Sequence, residues 1–360
     1  MQKGTSRFHR CLFFSIAGVL ALSLVTGLWA PLAHAQKKPF VFSIGWVFYG
    51  RDLGWLTARD KGFYKEEGLD NVKIIRGFGG GDTMTKVAAG AYTIGGAIPP
   101  ISQVIAWRKG IKSKTVMMNH DIPPMVIWTL KDRGVNSLKD LMGKSIGAPE
   151  NDAIWPSIKL LYGIKGYDLK KVKFVNTTPA ARDFGMLAGS FSASTGFITQ
   201  YGILSRKAKE IGKEIHFVLL SNEGLNIYGA GLIALDKTLA ERGEEVRKFL
   251  KASVRGIAYA LENPDEAINY LMRICPQCAK QPNREVWDVT GDLWYTKSGR
   301  AKGLGGMTDE RWQKTIDFLA KPLRLKKKPS ISELYTNAYL PGIKLPKRGK
   351  RDAPVFQYQE

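Results

Sequence analysis

Histidine and cysteine are scarce in this chain of 360 residues, at four and three. His9, His34 and Cys11 fall within the first 35 residues, which leaves His120, His216 and the pair Cys275 and Cys278. A structural zinc centre needs four ligands in tetrahedral array, so this supply argues against metal chemistry. Negative charge is also short. Thirty-two acidic residues face 54 basic ones, for a net charge of +22. A basic balance can point to nucleic acid, acidic lipid or an anionic ligand. Neither zinc-finger spacing nor an RNA-binding aromatic motif is present, so no nucleic-acid partner is expected. The excess reads as solvated surface charge, much of it in "LRLKKKPS" and "LPKRGKRDAP". Beyond residue 35 no apolar run reaches the length of a membrane-spanning helix.

The one long apolar run opens the chain. Lys3, Arg7 and Arg10 precede "CLFFSIAGVLALSLVTGLWA", and "PLAHAQ" follows with small residues at Ala33 and Ala35. This is the pattern of a secretory leader, with cleavage expected after Ala35; the alternative is a retained anchor. No cysteine stands at the cleavage site, so no lipid anchor is expected. The remaining chain, about 325 residues, suffices for two domains and is expected to be a soluble periplasmic monomer. In an oxidising compartment Cys275 and Cys278 read as a local disulfide. A redox-active pair would want a strand before it and a helix N-terminus after it, whereas an amphipathic helical pattern precedes this one.

From Phe40 onward short β-rich runs alternate with helical patterns, the signature of a parallel-sheet α/β fold. One group runs from "FVFSIGWVF" to "KTVMMNHDI" and a second from "NSLKDLMG" to "EIHFVLL". Between and after them, "PMVIWTLKD" and "IYGAGLIALD" read as extended connectors. Capping boxes are expected at Ser137–Asp140 and Ser330–Glu333, and a Thr178 cap with Pro179 at the first helical position. The rest is mostly helical. Val246, Phe249, Leu250, Val254, Ile257 and Leu261 share one face, as do Trp312, Ile316 and Leu319. "MTKVAAGAYTIGGAIPP" and "FGMLAGSFSASTGFITQ" echo each other as helix, Ala-Gly, strand and loop. The echo predicts two α/β lobes joined by two crossings, with the second inserted in the first.

Four segments carry a family resemblance: "ARDKGFYKEEGLDNVKI", "KVAAGAYTIG", "VNSLKDLMGKSIGAP" and "ISELYTNAYLP". On these the chain resembles periplasmic substrate-binding proteins of ABC importers, the branch that binds nitrate, taurine, alkanesulfonates and thiamine-pyrimidine precursors. Thr93 and Ser192 stand where the family often has aspartate. The resemblance implies an α/β, two-lobe periplasmic-binding-protein fold of type II with two hinge crossings, near Asp121 to Ile127 and Ala230 to Asp236. Expected boundaries are a leader at 1–35, first lobe at 36–123, second lobe at 124–235, a helical return at 236–340 and a basic tail at 341–360. It further implies a non-enzymatic receptor without cofactor, delivering its ligand to an ABC permease of the inner membrane. An enzyme of the same fold, a thiamine-pyrimidine synthase, is the alternative, and an extracytoplasmic sensor is another.

Ligands in open α/β sheets bind beyond the carboxyl ends of the strands, which nominates residues in each lobe. The first lobe offers Trp46, Phe48 and Tyr49, then Gly80, Gly81, Asp82 and Thr83, then Ile98 and Pro99. The second offers Asn151 and Asp152, Thr177 and Thr178, Thr199 and Tyr201. Asn222 and Tyr228 lie near the return crossing. Each of these could instead cap, turn or pack. No arginine follows a strand end where a bidentate carboxylate clamp would form. The glycine-rich "GFGGGDTM" lacks the Gly-Lys-Ser/Thr of a phosphate loop, so it is expected to be a strand-to-helix turn facing the crevice, with Asp82 capping or touching the ligand. The expected ligand is a small organic acid, a sulfonate, or an aromatic or pyrimidine-like compound rather than a bare inorganic anion.

Overall fold

The first sheet is built from β1 (Phe40–Ser43), β2 (Val72–Ile75), β3 (Ile94–Ile98) and β4 (Ser113–His120). The chain then builds a second sheet from β5 (Met125–Leu130), β6 (Ser145–Ala148), β7 (Lys173–Asn176), β8 (Ala193–Phe197) and β9 (Ile215–Leu219). It returns as β10 (Ala230–Leu235), which joins the first sheet. This is a computed structural model, and it describes residues 38–149, 152, 154–353, 356 and 358. The leader and its cleavage site lie outside the described residues, as does Asn151. Phe40–Glu360 forms one compact unit.

Strand orders are β2-β1-β3-β10-β4 and β7-β6-β8-β5-β9. In each sheet the first three strands run parallel, and the fourth, β10 or β5, runs antiparallel to both its neighbours. The two sheets therefore share one topology, the physical basis of the internal echo. Two expectations are corrected. The sheets are mixed rather than parallel, and the two apolar "connectors" are the antiparallel strands. β5 is buried at every position and β10 at all but its last. A continuous apolar run is what a strand covered on both faces requires, whereas a connector would meet water. Ala230–Leu235 thus hydrogen-bonds within the first sheet instead of ending the second lobe. The crossings themselves are the irregular segments 121–124 and 220–229.

Among the described residues ten helices of eight residues or more flank the sheets: α1 (Leu53–Asp60), α2 (Gly80–Ala88), α3 (Pro100–Arg108), α4 (Ile154–Lys165), α5 (Pro179–Ala188), α6 (Tyr201–Glu210), α7 (Asp236–Glu262), α8 (Pro264–Ile274), α9 (Lys280–Asp292) and α10 (Asp309–Ala320). The Thr178 hydroxyl accepts from Ala181 N at 3.1 Å, capping α5. Both capping boxes form. The apolar face of α7 is buried throughout, with Phe249 stacked on Phe40 of β1 at 4.7 Å. Trp312, Ile316 and Leu319 of α10 are buried likewise. Cys275 and Cys278 are joined by a disulfide after α8.

The crossings are tied to each other and to α10. Gly229 N donates to His120 O at 3.0 Å, and a Cβ on Gly229 would meet the Ile122 and His120 carbonyl oxygens within 2.5 Å. Only glycine permits that approach. Arg311 of α10 donates to Asp121 O at 3.1 Å and to Ile227 O at 3.3 Å, one contact on each crossing.

The C-terminal tail departs from its reading as solvated charge. Arg351 pairs in fork geometry with Asp292 of α9, both contacts at 2.7 Å, and Arg348 pairs with the same carboxylate. Asp288 of α9 accepts from Asp352 N at 2.7 Å and Ala353 N at 3.2 Å. Phe356 then lies edge-on against Tyr201 and Phe217 of the second lobe, with centroids 4.9 and 5.3 Å away. A run of arginines cannot reveal from sequence that acidic partners some 60 residues earlier will be waiting.

Candidate functional site

At the carboxyl ends of β1, β2 and β3 three loops stack backbone against backbone. Gly45 holds φ at +82°, and a Cβ there would lie 2.6 Å from Gly96 O. On Gly77 a Cβ would lie 2.6 Å from the Gly45 backbone, and on Gly80 2.6 Å from Pro99 Cδ. Hydrogen bonds from Gly77 N to Trp46 O (3.0 Å) and from Gly79 N to Gly45 O (2.8 Å) lock this stack. The glycines are thus explained by close approach of main chain. Ala97, at φ +53°, carries strain uncommon for a residue with a side chain.

Beyond this stack lies a cavity of about 320 Å³, within the size range of small-molecule sites. The first lobe contributes Gly45, Trp46, Tyr49 and Arg51 after β1, Phe78 to Gly81 after β2, and Ala97 of β3. From the second lobe come Pro149 and Asp152 after β6, Arg182 in α5, Phe197 of β8 and Gln200 beyond it. The hydroxyls of Tyr49 and Thr199 lie 3.1 Å apart, a buried bond from one lobe to the other.

Of the residues nominated from sequence, Trp46, Tyr49, Gly80, Gly81 and Asp152 line the cavity, and Thr199 touches it through Tyr49. The other described ones are engaged elsewhere. Phe48 packs on the first lobe's core, and Ile98, the last residue of β3, is buried in a small apolar cluster. Pro99 caps α3. Thr83 is buried and bonds back to Gly79 O at 2.8 Å. Asp82 neither caps α2 nor lines the cavity: it pairs with Lys86 at 3.0 Å. Lys86 in turn lies over the Phe78 ring at 4.9 Å, so Asp82 reaches the site only at third hand. Thr177 N completes a backbone bond to Ala148 O at 3.2 Å, and Thr178 is a cap. Tyr201 packs on the tail, and Asn222 sits in an exposed turn. Tyr228 lies tilted against Trp312, with centroids 5.4 Å apart, and accepts from Thr308 N at 2.9 Å.

Two arginines that strand-end reasoning does not nominate complete the site. Arg51 and Arg182 line the cavity, and both are buried. Neither immediately follows a strand: Arg51 lies seven residues beyond Ile44, whose carbonyl it meets at 3.1 Å. Arg182 stands on the fourth residue of α5, aimed inward by a helix phase that sequence alone does not orient. Arg51 Nε contacts Asp52 at 3.3 Å, and Arg182 Nε contacts Asp183 at 2.9 Å. Arg182 Nη2 also donates to Gln200 Oε1 at 3.2 Å, while its Nη1 has no hydrogen-bond partner among the described residues. Asp152 accepts from Ile154 N at 2.8 Å and from the Thr195 hydroxyl, and burial pushes its carboxyl up against the opposing pull of Arg182. Each guanidinium already has its carboxylate. The cavity therefore offers directed donors and acceptors between aromatic walls rather than an uncompensated positive charge.

His120, the last residue of β4, is buried beside this site, and burial followed by the Arg51 charge pushes its imidazole down to about 3. Its ordinary value is 6.5, so between those limits the unfolded chain binds more protons. His120 thus contributes stability that is full above pH 6.5 and lost as pH falls toward 3. Asp52 has the opposite sign: burial, offset by Arg51, raises it to about 6, so its contribution is full below its ordinary 3.8 and lost as pH rises through 6. The two oppose each other between pH 3.8 and 6. Urea midpoints of His120→Asn are expected to fall less on acidification across that window than the parent's, and a fall as steep as the parent's would contradict the assignment.

The family model described as "NMT1/THI5 like" matches residues 52–267, from α1 into α8. The chain belongs to the NMT1/THI5-like family. Among its relatives is the riboflavin-binding protein RibY of Chloroflexus aurantiacus, 25% identical over 325 residues, covering 87% of this chain and 89% of the relative. Another is 4-amino-5-hydroxymethyl-2-methylpyrimidine phosphate synthase of Legionella pneumophila, 26% identical over 79% of this chain and 87% of the relative. The fold is that of the alkanesulfonate-binding protein SsuA of Xanthomonas axonopodis pv. citri, solved bound to MOPS. That structure superposes with a TM-score of 0.60 at 14% identity, covering 82% of this chain and 98% of the other. It is the two-lobe periplasmic-binding-protein fold.

Proposed function

We propose that this NMT1/THI5-like chain is an extracytoplasmic receptor that closes on a flat heteroaromatic solute and delivers it to an ABC permease. The observation that carries the reading is the make-up of the cavity: Trp46, Tyr49, Phe78 and Phe197 form apolar walls around Arg51, Arg182 and Asp152. Rings stack on such walls, and a few placed polar groups fix orientation. Guanidinium donors suit ring carbonyl oxygens or an acid substituent, and Asp152 suits a ring N–H or amino group. A bare inorganic anion would find both cations already paired with carboxylates. Binding from both lobes favours the closed form by the ligand's differential affinity for it, and the closed form is what a permease would read.

The name of the pyrimidine synthase relative favours a second reading, catalysis on the same scaffold. No cysteine lines the cavity among the described residues, which weakens it. Thermal-shift measurements with riboflavin, substituted pyrimidines, alkanesulfonates and nitrate separate the cases. A ligand that binds only the folded state raises its melting temperature, by an amount that grows with concentration over Kd. A heteroaromatic compound is expected to do so and nitrate to leave the melt unchanged. Stabilisation by nitrate alone would sink the ring-binding reading, and turnover of a bound pyrimidine would replace it with the enzyme.

A further inference from the structure

The function proposed above makes no use of the other end of the first lobe. There the C-terminus of α3 meets the turn after α10 around a second, open cavity of about 400 Å³, lined by Trp107, Arg108, Arg324, Leu325, Lys326 and Lys327. β4 starts just beyond α3 at Ser113 and ends at His120 beside the ligand cavity. Seven strand steps of about 3.3 Å put the two roughly 23 Å apart.

Four of the six lining residues are cations. Arg324, Lys326 and Lys327 are exposed, and none forms an ion pair within 4 Å among the described residues. Lys328 alone on this run is paired, with Asp317 at 2.7 Å. The turn is fixed in place: Arg108 donates to Leu323 O at 2.9 Å, and Leu325 N to Ala320 O at 3.0 Å. Arg324 itself holds φ at +48°, the left-handed position after a helix where glycine is the usual occupant. A long cation thus stands at a site whose backbone disfavours it. Beside it Trp107 is half-buried, its indole N–H donating to Glu333 at 3.1 Å, with Leu323 and Leu325 also half-buried.

We propose that this pole, made of Trp107, Arg324, Lys326 and Lys327, is a docking surface for an anionic phospholipid membrane. The charged residues lining the cavity are all cations, with one carboxylate, Glu333, at the edge on the Trp107 indole. An amphipathic indole at its edge suits the headgroup level of a bilayer, where tryptophan is enriched. Clustered lysine and arginine residues bind anionic leaflets additively. Single-stranded nucleic acid would instead want a row of exposed rings for its bases, and this pole has one ring, half-buried.

The test uses the chain from Gln36, which contains the whole compact unit Phe40–Glu360. It is expected to co-sediment with vesicles containing about one third phosphatidylglycerol and not with phosphatidylcholine alone, and to be released by salt. The double substitution Lys326→Gln with Lys327→Gln is expected to weaken that binding roughly 30-fold. Both side chains are exposed, so the melting temperature and its shift by the ring ligand stay as in the parent. Equal binding to the two vesicle types overturns the proposal, as does unchanged binding by the double variant. Lysine-dependent binding of an oligonucleotide without vesicle binding overturns it in favour of nucleic acid. The outcome is independent of which solute fills the ligand cavity.

Discussion

Replacing Arg182 with alanine is expected to weaken binding of the ring ligand about 100-fold while leaving the chain folded. Truncating one partner of a buried, hydrogen-bonded charged contact costs about 2–5 kcal/mol in binding, largely through faster dissociation. Arg182 meets that description. It is buried at the cavity wall, oriented by Asp183 at 2.9 Å and Gln200 at 3.2 Å, and keeps one nitrogen without a hydrogen-bond partner among the described residues. Its removal also frees Asp152, whose carboxyl is pushed up by burial and held down in part by this same guanidinium. Arg182→Ala should therefore make ligand affinity more dependent on pH than in the parent. Calorimetric titration at two pH values reads both effects. Arg182→Lys keeps the charge but loses the planar fork, so it should recover little of the affinity. Affinity within threefold of the parent in Arg182→Ala would remove Arg182 from the site.

Asp288→Ala is expected to destabilise the fold by about 3–5 kcal/mol, because it strands a buried charge. Asp288 is buried on α9 beside Arg284, also buried, at 2.7 Å. Its other oxygen accepts the Asp352 and Ala353 amides. Without it Arg284 keeps, among the described residues, only the exposed Asp265, at 2.9 Å, and the Lys350 carbonyl as acceptors, and the tail loses two of its backbone anchors. The urea midpoint should fall sharply. The tail should also become accessible to trypsin at Arg348 and Arg351, whose side chains are held on α9 in the intact fold. A variant with a parental midpoint and a protected tail would show that the Asp292 pairs alone hold this segment.

Much of the architecture was legible because it rests on local rules. The Thr178 cap, the boxes at Ser137 and Ser330, and the apolar faces of α7 and α10 each depend on residues within a turn or two of one another. The strand-to-helix glycine turn was legible for the same reason. Misreadings arose where an apolar run had two physical explanations: β5 and β10 look like connectors until their hydrogen-bond partners, some 70 to 140 residues distant in sequence, are known. The site divided the same way. Trp46, Tyr49, Gly80, Gly81 and Asp152 follow strand ends and could be named. Arg182, Phe197 and Gln200 are indistinguishable in sequence from surface or core residues, because helix phase and lobe closure decide where they face.

By itself, then, the sequence determined the α/β alternation, the repeated lobe, the family and the need for glycine where loops crowd. Those properties follow from backbone sterics, capping chemistry and hydrophobic period, all short-range. Tertiary structure alone decided that two arginines from different lobes face one cavity with carboxylates already beside them. It also decided that Asp82 serves Lys86 instead of a ligand, and that Arg348 and Arg351 of the basic tail are locked onto α9 while Lys326 and Lys327 form no ion pair within 4 Å among the described residues. Electrostatic interaction falls off with distance in space and depends on burial. Neither quantity is written in the order of residues along the chain.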